Sequence, residues 1–245
     1  MIYRSVINCR LLQSISLFSA LFGTAFLASP CRGGLTHYYP FSLDASDTIG
    51  SAHGTLVDGA SVNGGLLLLD GGNDYVQFGQ KIVPTSGSYS VTMFARQTTP
   101  QNYYAELISQ GFSGPGFYIG HDYNGTIRVG DSWLNTGVPF PSDGEFHHIA
   151  VTVDAVAGES KLYIDGSLSA TLASAISSTA GGTHTRFGNQ FDFHTEFFGG
   201  TLDEVRIYDH SLTAGEIATL AVPEPATATL ALLVVGFASL ASRRR

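Results

Sequence analysis

The stretch that decides the fold is Glu145-Phe146-His147-His148-Ile149-Ala150-Val151-Thr152-Val153-Asp154, followed by Lys161-Leu162-Tyr163-Ile164-Asp165-Gly166-Ser167-Leu168. Ile149, Val151 and Val153 alternate with Ala150, Thr152 and Asp154, and Leu162 and Ile164 alternate with Lys161, Tyr163 and Asp165. A period of two is that of a half-buried strand. Asp-Gly between the second run and Ser167-Leu168 predicts a hairpin closed by a tight turn, because both central residues of such a turn need positive φ.

The pattern extends outward from there. Upstream, Tyr89, Val91, Met93 and Ala95 alternate with Ser90, Thr92, Phe94 and Arg96. Short alternating runs separated by Gly, Asn, Asp or Ser are what a β-sandwich or jelly roll requires, since each strand is half buried and each turn must reverse the chain. Only Thr213 to Leu220 reads as helical. Ser211 or Thr213 can cap it, Glu216 falls in its first turn, and Leu212, Ile217 and Leu220 would face the sheet.

Three blocks resemble the LamG-like, concanavalin A-type jelly roll. The first is His37-Tyr38-Tyr39-Pro40-Phe41 with Asp44 to Gly54 and Asp70-Gly71-Gly72-Asn73-Asp74-Tyr75-Val76; the second is Glu145 to Val151 with Leu162 to Gly166. The third is Gly200-Thr201-Leu202-Asp203-Glu204-Val205-Arg206-Ile207-Tyr208 with Leu212 and Glu216-Ile217. The blocks stand in the family's order. The resemblance implies an all-β fold of two antiparallel sheets packed face to face, a scaffold shared by lectin-like modules and some glycosidases.

The two ends of the chain read as addresses. Arg4 and Arg10 precede a largely apolar stretch from Leu11 to Ala28, which resembles a secretory signal peptide over residues 1–33. At the other end, Val222-Pro223-Glu224-Pro225 is followed by an uncharged apolar run from Ala226 to Ala241 and then by Arg243, Arg244 and Arg245. Prolines break the preceding structure and hold the tetrapeptide extended, and a helix of that run would be about 24 Å long. Terminal arginines would stay on the cytoplasmic side of a membrane. Residues 222–245 resemble the PEP-CTERM sorting signal, which implies recognition and cleavage by an exosortase. The expected organisation is a signal helix, a jelly roll over 34–221, and a C-terminal transmembrane helix that tethers the protein until processing delivers it to the cell surface or beyond. An ordinary anchor that stays in place is the competing reading.

Composition constrains the middle segment. Cys9 and Cys31 are the chain's two cysteines, so 34–221 has no internal disulfide and its stability rests on its core. It holds six Lys or Arg against nineteen Asp or Glu, a formal charge of −13. Such a domain would repel nucleic acid and anionic lipid. Neutral polymers, cations and plain solubility are compatible with it.

Sites are less sharply written. A glycosidase would need two carboxylates about 5–10 Å apart facing one cleft. The Glu-x-Asp-x-x-Glu pattern of the family's glucanases is absent, no Gly-x-Ser-x-Gly occurs, and the expectation is a non-enzyme. Asp203 shares strand parity with Val205 and Ile207, which would aim a carboxylate at the apolar side, where it needs a partner. Asp44 and Asp47 precede a loop whose carbonyls could complete an oxygen shell, so calcium on Asp44, Asp47 and Asp203 is one expectation, supported by the resemblance. The alternative is that Asp44 and Asp47 cap a turn and Asp203 begins its strand in solvent. His147 and His148 are neighbours on a strand and face opposite ways. Trp133 and Tyr123 are candidate sugar contacts, because a pyranose presents a C–H face to an aromatic ring, although a lone tryptophan also serves as a core plug. Two functions remain open: a non-catalytic module that binds exopolysaccharide or other glycans, and a structural or protein-binding surface protein.

Overall fold

The computed structural model describes residues 34–99, 101, 103–111, 116–130, 134–179, 182, 184–190 and 196–222. The expected signal helix, Trp133, Pro223 to Pro225, the apolar run and Arg243 to Arg245 lie outside them. Fifteen strands and one helix are described: β1 (Leu35–Tyr39), β2 (Thr55–Val57), β3 (Ser61–Asn63), β4 (Leu66–Asp70), β5 (Tyr75–Gln77), β6 (Tyr89–Gln97), β7 (Ala105–Gln110), β8 (Phe117–His121), β9 (Thr126–Val129), β10 (Leu134–Pro139), β11 (His147–Asp154), β12 (Glu159–Ile164), β13 (Ser167–Leu172), β14 (Thr185–Phe187), β15 (Gly199–Tyr208) and α1 (Ala214–Leu220). No helix among the described residues is long and apolar enough to cross a membrane.

The strands form two antiparallel sheets. The first runs β13-β12-β11-β6-β15-β4-β3, with β1 also paired to β15, and the second runs β10-β9-β8-β7-β14-β5-β2. Period two sorts the residues as the sequence predicts. Val91, Met93, Ile149, Val151, Leu162, Leu202 and Ile207 of the first sheet meet Val76, Ile108, Phe117, Ile119, Ile127 and Phe187 of the second in one buried core. Each such side chain contributes on the order of 1.5–3 kcal/mol through removal from water. Tyr39, Phe78 and Phe187 form a triangle of edge-on rings with centroids 4.6–5.3 Å apart.

The hairpin between β12 and β13 closes as predicted, with φ of 49° at Asp165 and 77° at Gly166. A Cβ on Gly166 would stand 3.1 Å from the Ala218 Cα, so the turn presses on α1. Thr213 caps α1 and Glu216 reaches back to it in a capping box. Leu212 and Ile217 pack with Ala150 and Tyr163, which places the helix on the outer face of the first sheet.

β15 departs from simple alternation where Asp203 stands. In β15 the pairing with β6 shifts register between Asp203 and Arg206, where Glu204 adopts φ 52°. This extra residue is a β-bulge. It reverses the parity: Leu202 and Val205 both point into the core, while Asp203 lies opposite Phe94 on the outer face. The expectation that Asp203 shares the inward side of Val205 is corrected by that bulge.

Candidate functional site

The outer face of the second sheet carries no helix among the described residues, and its middle strands hold charge where a solvated face would hold small polar groups. Glu106 of β7, Gly120 of β8 and Arg128 of β9 are register partners in one cross-strand row. Glycine in the centre lets the two long side chains meet across it. A methyl there would fall on the Ala105 carbonyl and the Glu106 carboxylate. Arg128 Nη2 donates to Glu106 Oε1 and, at 2.6 Å, to Glu196 Oε2. Glu196 is brought alongside by a short parallel contact, in which the Glu106 N–H donates to the Glu196 carbonyl at 3.2 Å.

Aromatic rings extend this cluster to the surface. The Arg128 guanidinium lies 4.4 Å from the centre of the Tyr104 ring, and Tyr104 meets Tyr123 edge-on at 5.8 Å. Tyr123 is 59% exposed. It rides on a turn held by Asp122, whose Oδ1 accepts from the N–H groups of Asn124 and Thr126 and whose Oδ2 accepts from Asn135 Nδ2. Further along the face, Arg186 covers the Tyr75 ring at 4.4 Å and donates to Gln77 and Asn189.

Burial, above all, raises the Glu106 carboxyl well above the usual carboxylate range; Arg128 opposes this and the neighbouring Glu196 adds to it. Glu106 Oε2 is buried and has no hydrogen-bond partner among the described residues. Burial, and next the charge of Glu106, pushes the Tyr118 hydroxyl up to about 12.

This arrangement suits recognition better than hydrolysis. The two carboxyls share one buried arginine beneath the tyrosine rings, whereas glycosidic acids stand roughly 5–10 Å apart on an open cleft. An exposed ring braced from behind, with hydroxyls and amides beside it, is instead the form of a sugar platform.

Of the residues picked out by sequence, Tyr123 sits at the exposed end of the cluster, and Trp133 lies outside the described residues. Asp44 accepts from the Ser46 N–H two residues on, a turn cap. Asp47 is buried and spends its carboxylate on the N–H groups of Tyr38, Ile49, Gly50 and Ala52 and on His37 Nδ1. Asp203 is on the outer face of the first sheet, where its Oδ1 accepts from the Glu204 N–H. No three His, Cys, Asp or Glu side chains among the described residues gather as a metal would need. His148 is buried against Phe94, while His147 bridges Asp143 and Asp165. Val222 is exposed, two residues beyond α1.

Glu106, Arg128 and Glu196 escaped sequence reading. Their one available signal was a charge inside an apolar run, as in Ala105-Glu106-Leu107-Ile108 and Ile127-Arg128-Val129.

Comparison with known proteins gives two family matches: the concanavalin A-like lectin/glucanases superfamily over residues 70–218 and the PEP-CTERM protein-sorting motif over residues 221–245. The sushi, von Willebrand factor type A, EGF and pentraxin domain-containing protein 1 of Rattus norvegicus is 27% identical over 168 residues, which is 64% of this chain and 4% of that protein. The chain therefore spans only a small part of that relative's length. Domain 4 of AbnA, a GH43 extracellular arabinanase from Geobacillus stearothermophilus solved in complex with arabinotriose, superposes with a TM-score of 0.61 at 23% identity, covering 77% of this chain and 98% of that one. The binding domain of botulinum neurotoxin DC in complex with SialylT gives 0.60 at 13% identity, covering 77% and 51%. At such identities the likeness is one of fold.

Proposed function

We propose a function from one premise: the chain belongs to the concanavalin A-like lectin/glucanases superfamily, and it carries a PEP-CTERM sorting motif at its end. In this reading it is exported, held at the membrane by its tail until an exosortase cuts it, and released to the cell surface or matrix as a non-catalytic carbohydrate-binding module. The observation that carries the reading is the exposed Tyr123 ring, braced by Tyr104, Arg128 and the Glu106–Glu196 pair. A stiff ring loses little entropy on binding, and the C–H face of a pyranose covers it well.

Two further points support it. The arabinanase domain and the neurotoxin domain, each with this fold, were solved with arabinotriose and SialylT. The helix α1 lies on the outer face of the first sheet and delivers the chain to Val222, so the tyrosine face is on the opposite side from the tail's point of departure.

Elution of the full chain in neutral detergent from immobilised neutral polysaccharides tests this. The expected result is retardation on at least one glycan, reduced about tenfold in affinity by Tyr123→Ala, with no reducing ends released. Equal elution of both forms from every glycan would overturn the reading and leave a structural or protein-binding surface protein.

A further inference from the structure

A second recognition site is marked by Arg96. It is the last outward-facing residue of β6, opposite Thr201. Its guanidinium lies 4.6 Å from the Phe146 ring centre, and its Nε donates to Thr201 Oγ1 at 3.3 Å. Ring and hydroxyl together fix the plane of the group. Carboxylates pair with Arg128, Lys161 and Arg206, but among the described residues none pairs with Arg96.

Arg96 also lines an open cleft of about 520 Å³ with Gln97, Thr98, Ser142, Asp143 and Gly144. That volume is in the range of small-ligand pockets, which run from about 300 to 1,000 Å³. Asp143, on the β10–β11 connection, accepts from the Glu145 N–H at 3.0 Å and lies 3.1 Å from His147 Nε2. His147 is held in turn by Asp165 at 2.7 Å. The cleft thus offers an oriented fork of donors and a positioned carboxylate that do not neutralise each other.

A matching ligand carries its own carboxylate together with hydroxyl donors. We propose that this cleft binds a uronate sugar unit, with its carboxylate bidentate on Arg96 and a ring hydroxyl donating to Asp143. Planar, bidentate recognition of a carboxylate is what arginine does and lysine does not. The acidity of the rest of the domain would exclude polyanions of high charge density, so the fit is to a polymer with isolated acidic units. This deepens the glycan-binding reading but uses residues apart from the Tyr123 platform, and the two can fail separately.

Titration of the full chain in neutral detergent with methyl β-D-glucuronide and with methyl β-D-glucoside tests it. The glucuronide is expected to saturate, the glucoside to bind at least about tenfold more weakly, and Arg96→Gln to remove that difference. Ser142→Trp, which fills part of the cleft and leaves Arg96 itself in place, is expected to weaken the glucuronide by a similar factor. Tyr123→Ala should leave glucuronide binding unchanged while reducing retention on neutral polysaccharide. Equal affinity for the two glycosides, or glucuronide binding unaltered by both Arg96→Gln and Ser142→Trp, would overturn the proposal.

Discussion

Asp203 and His148 flank Phe94 in one cross-strand row on the outer face of the first sheet, each opposite it in register. Burial, and then the charge of Glu204, pushes Asp203 up to about 7, while burial, and then the charge of Arg206, drives His148 down to about 4. The folded protein keeps the Asp203 proton that the unfolded chain loses near pH 4, so the stability it lends declines as pH rises towards 7. The unfolded chain takes a proton on His148 below about 6.5 that the fold refuses, so stability declines as pH falls from 6.5 to 4. The two slopes oppose each other over nearly the same window. His148→Phe should therefore expose a fall in stability from pH 4.5 to 7 of about 2 kcal/mol, reduced from the full shift because Asp203 is partly solvated. Asp203→Asn should expose a rise of about 3 kcal/mol. Urea unfolding at the two pH values reads both, and parallel profiles in the two variants would refute the pairing.

Gly120 separates Glu106 from Arg128, and its missing side chain is what allows their contact. Gly120→Ala should destabilise by about 3 kcal/mol, because the methyl meets a carbonyl and a carboxylate that cannot both retreat. A change in urea midpoint smaller than that of an exposed Gly→Ala control such as Gly79→Ala, where an added methyl meets nothing, would show that the row has other room.

The acid pair beneath the tyrosines makes an asymmetric prediction. Because Glu106 holds its proton well above the usual range, folding takes up a proton as pH rises past about 4.5, and stability falls accordingly. Glu106→Gln copies the protonated acid, so it should match the native protein near pH 5 and exceed it at pH 8. Glu196→Gln removes one of the two carboxyl groups that pair with the buried Arg128 and should cost about 3–5 kcal/mol at both values. Equal losses in the two variants at pH 8 would show that Glu106 is ionised.

What the sequence made legible was local. Alternation at Tyr89 to Arg96 and Ile149 to Asp154, the Asp165-Gly166 turn and the Thr213–Glu216 cap each depend on residues a few positions apart, and each stands in the structure. Asp203 was misassigned because one bulge residue, Glu204, reverses parity without any Gly or Pro to announce it. The Glu106–Arg128–Glu196 cluster was hidden for a different reason. Its members are 22 and 68 residues apart, and their meeting depends on strand register and on the absence of a side chain at Gly120. Tyr123 was readable as an aromatic in a polar loop, whereas the ring and cation that brace it were not.

Asp47 offers the sharpest check on how the acidic N-terminal loop is held. Burial opposes its charge, yet His37 and the N–H groups of Gly50, Tyr38 and Ile49 outweigh burial and hold the carboxyl below its ordinary value. Five donors on one side chain tie the loop to β1, and a sixth bond runs from the Asp47 N–H to His53 Nδ1. Asp47→Asn keeps the shape but points two hydrogens at groups that are themselves donors, leaving buried N–H groups unpaired. A cost of about 2–4 kcal/mol at pH 7 is expected, since each unpaired buried group costs roughly 1–3 kcal/mol. The stability lent by the charge is present above the unfolded value of 3.8 and is lost as pH falls through the lower folded value. The gap between native and variant should accordingly narrow below about pH 3.8. A gap that stayed constant from pH 7 to pH 3 would mean that Asp47 acts through shape alone.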